Sequence, residues 1–195
     1  MCKPLFGQIP YFVSNTSAND TIQSQVFNHK LEHYDFLIAY HGSSYWSRQR
    51  LNLFIIGLKG NKWYLTILRE EYGKPKDYKI DTKHPIKSSK RRYRISKRKV
   101  NTMLNTFSEN RIWDFDCDSL NIHVIKTSDS TSNSIWVTDG PKYVFEFITK
   151  NAFRKVDAYY PSFFLKYFPA VYTRQNFINC QEAIGKIINR KRYRH

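Results

Sequence analysis

The residues of this sequence with the clearest capacity for chemistry form a cluster of cations around an aromatic residue. The cluster consists of Lys90, Arg91, Arg92, Tyr93, Arg94, Lys97, Arg98 and Lys99. Arginine binds phosphate and carboxylate groups through a planar fork of donors, and an interleaved aromatic ring can stack on an unpaired base. These residue types predict a surface that binds an anionic macromolecule, whether nucleic acid, acidic protein or an anionic lipid surface.

The positions of Lys97, Arg98 and Lys99 strengthen that prediction, because they fall in the first turn of a predicted helix. The apolar spacing of Val100, Met103, Leu104 and Phe107 predicts a helix over 97–110, with Ser96 as its N-cap. The cations of its first turn oppose the helix dipole, and each costs a few tenths of a kcal/mol. A solvent-exposed turn selected for stability carries acids there, so the cations indicate an anionic partner. The alternative is a solvated basic loop, which is the usual meaning of a charge run.

The net charge of +16 comes from two segments of the 195-residue chain. Twelve basic residues lie between Lys74 and Lys99, opposed only by Asp77 and Asp81, and five more lie between Lys186 and His195 without an acid. The remainder is almost neutral. The cations at the end of the last helix are favoured by its dipole, so the loop is the stronger candidate site.

Alternating acids provide the best candidate for a metal site. Asp114, Asp116 and Asp118 begin like a calcium-binding loop, but Ser119 and Ile125 stand where that loop needs Gly and Glu. On a strand, acids two residues apart share one face and could still hold a divalent cation, as a metal-dependent nuclease requires. The alternative is a solvated strand edge or turn. We predict no cofactor, because the three cysteines lack zinc-ligand spacing and no glycine-rich phosphate loop is present.

The elements that must position these residues predict an α+β fold, with a mainly antiparallel sheet and about two packed helices. Strands are expected at 34–40, 51–58 and 62–69, with Gly60-Asn61 as a type II′ turn, and a short edge strand is expected at 91–95. Asp139-Gly140 predicts a further hairpin between 135–138 and 141–147. A strand over 152–159, a connector over 161–171 and a helix over 173–189 complete the chain. The apolar stripe of that helix is Phe177, Cys180, Ile184, Ile187 and Ile188.

The segments predict one domain with appendages. We expect an irregular leader at 1–30, a domain at 31–190 that carries a basic loop at 74–99, and a basic tail at 191–195. The aromatic content of 16% excludes a wholly disordered chain, and three cysteines exclude a disulfide-rich miniprotein. No apolar run reaches the roughly 18 residues of a transmembrane helix.

The C-terminal part of the chain resembles small, uncharacterised bacterial α+β proteins. The resemblance lies in Asp139-Gly140, Glu146, the run Phe153-Arg154-Lys155-Val156, the aromatic-proline pair Tyr160-Pro161, and a final helix. It implies the fold and carries over no catalytic residue. Modules of this kind are often envelope proteins or immunity-type partners of toxins.

Three functions follow from these patterns. The first is a non-enzymatic binding module whose basic loop holds an anionic partner. The second is a nucleic-acid-binding protein or metal-dependent nuclease. The third is a cell-envelope lipoprotein, in which Cys2 is the lipidated mature N-terminus and the polar residues after it are a leader. As the chain stands, the sequence indicates a cytoplasmic protein.

Overall fold

The computed structural model describes most of the chain, in seven segments. They are residues 9–14, 33–43, 50–73, 85–122, 124–126, 132–134 and 137–189. The predicted leader, the first part of the predicted basic loop and the basic tail lie largely or wholly outside these segments.

A six-stranded antiparallel sheet forms the centre of the fold and confirms the predicted α+β class. Its strands are β1 (Phe36–Ser43), β2 (Arg50–Lys59), β3 (Lys62–Glu71), β4 (Lys87–Ile95), β7 (Lys142–Ile148) and β8 (Phe153–Tyr159). They lie in the order β4-β3-β2-β1-β7-β8, while β5 (Val124–Lys126) and β6 (Ser132–Ser134) pair separately. Gly60 has a φ of 59° and Asn61 has no positive φ, as the predicted type II′ turn between β2 and β3 requires.

The described helices are α1 (Lys97–Glu109), α2 (Cys117–Leu120), α3 (Pro161–Tyr167) and α4 (Tyr172–Ile188). The first and last were predicted almost to the residue. The prediction of a plain connector over 161–171 was wrong, because α3 occupies most of it. Its proline stands in the first turn, where the missing N–H and the fixed φ favour a helix.

Helices α1 and α4 cover one face of the sheet, which we call the helix face. Alternate sheet residues such as Ile38, Leu65 and Phe145 point towards the helices, where Phe107 and Phe177 fill the space between the layers. The predicted stripe of α4 is buried there throughout, Cys180 included. The other alternate residues point to the opposite face, where Leu37, Leu53, Ile55, Leu68 and Phe153 form a second apolar cluster.

The described residues do not show the hairpin predicted at Asp139-Gly140. Val137 and Thr138 are not in a strand, and β7 pairs with β1 on one side and with β8 on the other. Ile135 and Trp136 lie outside the described residues. Gly140 instead packs against the end of β8, where its N–H donates to the Tyr159 hydroxyl at 2.8 Å. A Cβ atom at this position would lie 2.6 Å from the Tyr160 ring, so the close approach requires glycine.

Candidate anion-binding surface

The predicted cation cluster is built on two regular elements. Lys90, Arg91, Arg92, Tyr93 and Arg94 lie in β4, and Lys97, Arg98 and Lys99 form the first turn of α1. The strand begins at Lys87, so the basic loop predicted to extend to position 99 ends earlier. Residues 74–84 of that loop lie outside the described residues. The cations from Lys90 onward are therefore part of the folded sheet and helix, and Ile95 anchors them in the core.

Alternation along β4 divides the cluster between the two faces of the sheet. Ile95 and Tyr93 pack against the core of the helix face, and Arg91 shares their side of the strand. Lys90, Arg92 and Arg94 project to the opposite face. The sequence pattern suggested a tyrosine interleaved among the cations for base stacking. The structure places the half-buried Tyr93 ring against the core, on the other side of β4 from Lys90, Arg92 and Arg94.

Arg92 already has aromatic partners within the fold. Its guanidinium carbon lies 3.7 Å from the centre of the Tyr64 ring and 5.5 Å from that of Tyr34. The two tyrosine rings meet edge to face, with centroids 6.4 Å apart. The arrangement is a cation–π contact across β3 and β4, which holds the Arg92 side chain over the opposite face.

A pocket of about 380 Å³ lies where β4 turns into α1. It is lined by Asn61, Lys62, Trp63, Arg94, Ile95, Ser96 and Lys97. The register of β3 with β4 explains why Lys62, Arg94 and Lys97 lie close together there. Trp63 pairs with Ile95, which places Lys62 beside Ser96 and near Arg94 on the same face. Sequence reasoning missed Lys62, because its only sequence signal was its place at the start of β3, next to the predicted edge strand.

The pocket opens at the N-terminal end of a 13-residue helix. Ser96 has the extended backbone of an N-cap, but its side chain makes no capping hydrogen bond, and no acid stands in the first turn. The first-turn amides carry the positive end of the helix dipole. Lys97 and Arg98 are exposed in this turn, so their positive charges lie at the positive end of the helix dipole.

Several cations elsewhere in the described part of the chain lie close to acids. Lys142 Nζ lies 2.8 Å from Asp157 Oδ2, and Glu71 lies between Arg50 and Lys87. Within the described residues, none of the cations around the pocket and along β4 makes such an ion pair: Lys62, Lys90, Arg91, Arg92, Arg94, Lys97 and Arg98. We call these seven residues the basic surface. Lys99 completes the helix turn and is half-buried.

The predicted metal candidates do not lie on one face of a strand. Asp114 ends a 3₁₀ turn at Ile112–Asp114 and lies 3.9 Å from Arg111 Nε. Asp116 is the N-cap of α2, where its side chain accepts a hydrogen bond from the Asp118 N–H. Among the described residues, no group of three or more His, Cys, Asp or Glu side chains could hold a metal ion. The alternative interpretation, a solvated turn, describes these acids.

His41 lies on the opposite face of the sheet, in β1, which pairs with β7. Its Nδ1 atom is buried and has no hydrogen-bond partner among the described residues. Burial, followed by the charges of Lys155 and Lys142, lowers the pKa of His41 from 6.5 to about 4. The imidazole is therefore neutral at pH 7 and adds no charge to the basic surface.

The third predicted function depends on Cys2, which lies outside the described residues. No helix in the described segments has the length and apolar character needed to cross a bilayer.

Comparison of the chain with protein-family models, with curated proteins and with solved structures gives no match.

Proposed function

We propose that the chain is a non-enzymatic binding module whose basic surface takes an anionic macromolecule. The observation that carries the proposal is the pocket at the start of α1, where Lys62, Arg94 and Lys97 line one concave site. None of the three has an acidic partner among the described residues. A carboxylate or phosphate group of the partner would occupy this pocket.

The electrostatics of the pocket support an anionic occupant. Like charges that share a small site repel, and the dipole of α1 adds to that repulsion. An anion in the pocket reverses the sign of each of these interactions. The same group would accept hydrogen bonds from the amides of Lys97 and Arg98 in the first turn, since the Ser96 side chain caps neither.

The cations along β4 extend this pocket into a strip. Lys90 and Arg92 follow Arg94 on the opposite face, two residues apart, which is about 7 Å along a strand. A partner with repeated negative charges can therefore contact the pocket and the strip at the same time. The nuclease alternative lacks support of this kind, because Asp114 and Asp116 serve an ion pair and a helix cap.

A charge-reversal experiment tests the proposal. The site variant replaces Lys62, Arg94 and Lys97 with Glu. The control variant replaces Lys150, Lys166 and Lys186 with Glu, which are exposed and do not line the pocket. Both variants have the same net charge, so a difference between them reports position. The readout is fluorescence anisotropy with labelled polyglutamate and a labelled single-stranded oligonucleotide, at salt concentrations of about 50 to 300 mM.

We expect the wild type to bind at least one polyanion, with an affinity that falls as salt rises. The site variant should bind about tenfold more weakly or worse, and the control variant within about threefold of wild type. Equal losses in the two variants would show that only net charge matters. Affinity no stronger than about millimolar at low salt, for every probe, would overturn the proposal.

A further inference from the structure

We infer that β4 binds an acidic polypeptide segment in extended conformation, as a seventh strand of the sheet. This inference rests on the binding function proposed above and names the class of partner. Strand β4 is the terminal strand of the sheet, and all nine of its residues pair with β3 in an unbroken register from Lys87–Glu71 to Ile95–Trp63. Such a strand directs about half of its backbone N–H and C=O groups away from the sheet.

The other edge strand of the sheet, β8, has side chains that contact its outer backbone groups. Side chains engage the outer backbone groups of β8 along its whole length. The Phe153 N–H donates to the Ser14 hydroxyl, and the Tyr159 N–H donates to Asn121 Oδ1. Between them, Cys117 Sγ and Asn121 Nδ2 donate to the carbonyls of Lys155 and Asp157. These contacts leave little of β8 to pair with another strand.

From Lys87 to Arg92, β4 carries no comparable caps among the described contacts. Its residues from Lys87 to Arg92 are all exposed, and the strand contains neither a proline nor a bulge to prevent pairing. Among the described residues, charge protects this edge, because basic side chains project from both faces of β4. Positive charge deters the approach of a second copy of β4, since like charges directly opposite each other destabilise a strand pair.

The same charges select a partner of opposite sign. In a strand pair, opposed side chains lie about 5 Å apart. Acidic residues at alternate positions of a bound segment would meet Lys90, Arg92 and Arg94 on the opposite face of the sheet. An acid on the other side of that segment would meet Arg91. The segment would also reach the pocket at Lys97, so a terminal or side-chain carboxylate can occupy it.

A polypeptide fits this surface better than a nucleic acid. Only a polypeptide can continue the backbone ladder of the sheet. Stacking on unpaired bases needs accessible rings, and the ring of Tyr93 packs against the core of the helix face. Arg92, whose guanidinium could stack on a base, is already placed over Tyr64.

The test uses two labelled peptides of nine residues, the length of β4. The first alternates Glu and Thr. The second has the same sequence with every backbone amide N-methylated, which keeps the charges and removes all backbone donors. Affinities are measured by anisotropy with wild-type protein and the Lys62/Arg94/Lys97 charge-reversal variant. Hydrogen exchange of residues 87–95 is followed with and without each peptide.

We expect the unmethylated peptide to bind at least about tenfold more tightly and to slow exchange of the outward β4 amides. Equal affinity of the two peptides would overturn strand addition but leave anion binding intact. Binding of the oligonucleotide with no binding of either peptide would overturn it in favour of a nucleic acid. Failure of every polyanion would overturn this inference and the proposed function together.

Discussion

The guanidinium carbon of Arg92 lies 3.7 Å from the centre of the Tyr64 ring, although the two residues are on different strands and 28 positions apart in the sequence. Their strand register puts Arg92 opposite Thr66 and Tyr64 opposite Arg94, so the contact is diagonal. It ties the edge strand to the sheet through side chains as well as through the backbone. Arg92 is therefore both a structural contact of β4 and, because it is exposed, a member of the basic surface beside Lys90 and Arg94.

The Arg92–Tyr64 contact should be measurable as a coupling in stability. We expect Arg92→Ala and Tyr64→Leu each to lower the free energy of unfolding, with a coupling of about 0.5–1 kcal/mol in a double-mutant cycle. Urea unfolding of the four proteins measures it. Arg91→Ala is the matched control, because Arg91 is exposed on the other side of β4 and should change stability by less than about 0.5 kcal/mol. Additive effects of the two changes would contradict the assigned contact.

A second arginine should be far more important for stability. Arg174 is fully buried near the start of α4. Its Nε atom donates to the Leu120 carbonyl at 3.0 Å, and a terminal nitrogen donates to the carbonyl of Ile122. Its guanidinium also lies 5.4 Å from the centre of the Phe164 ring. These contacts join α4 to the end of α2 and to α3.

We expect Arg174→Met to lower the free energy of unfolding by about 3 kcal/mol, because it leaves two carbonyl acceptors without their donor. Lys186→Met on the same helix is the control, since Lys186 is exposed and should change little. Urea unfolding at neutral pH compares the two variants with wild type. A stable Arg174→Met protein would mean that apolar packing alone joins these helices.

Histidine 41 should make stability depend on pH. Its pKa is lowered from 6.5 to about 4 by burial and by the charges of Lys155 and Lys142. Below pH 6.5 the unfolded chain binds a proton that the folded protein excludes, so stability is present above that pH and is lost as pH falls towards 4. The loss between pH 7 and pH 5 should be about 2 kcal/mol.

The variant His41→Gln isolates this effect, because glutamine keeps a polar side chain that does not titrate. Urea unfolding at intervals from pH 7 to pH 5 should show a steeper decline for wild type than for the variant. Parallel declines in the two proteins would show that His41 titrates normally in the folded state.

Short-range patterns predicted part of this molecule well. The stripe of Phe177, Cys180 and Ile184 on α4 depends on helical periodicity alone, and so did the prediction of α1. The hairpin at Asp139-Gly140 failed for the opposite reason. Its turn residues are favourable, but β7 finds its partners in β1 and β8. Pairing of β7 with β1, about a hundred residues earlier in the chain, cannot be inferred from a local turn signal.

The candidate site was predicted in the same uneven way. Residue type and the helix start led to Arg94 and Lys97, since both signals are local. Lys62 completes the pocket only through the register of β3 with β4, and periodicity does not specify that register. The burial of Tyr93 follows from its alternation with Ile95, which was a usable signal once β4 was known to extend from Lys87.

Two variants of Asp116 can distinguish a binding module from a metal-dependent nuclease. As the N-cap of α2, Asp116 can be replaced by Asn without loss, because the amide oxygen caps equally well. Asp116→Ala removes the cap and should cost about 1 kcal/mol. A metal ligand behaves differently, because Asn removes the charge that a divalent cation needs. The pair of variants therefore separates the two roles.

Thermal unfolding with and without about 10 mM magnesium completes the test, since an ion that binds only the folded state raises the melting temperature. We expect the differences in melting temperature between wild type, Asp116→Asn and Asp116→Ala to be the same with and without magnesium. Stabilisation of wild type by magnesium that Asp116→Asn abolishes would instead identify these acids as a metal site. That result would return the nuclease hypothesis to consideration, with the basic surface as its substrate-binding strip.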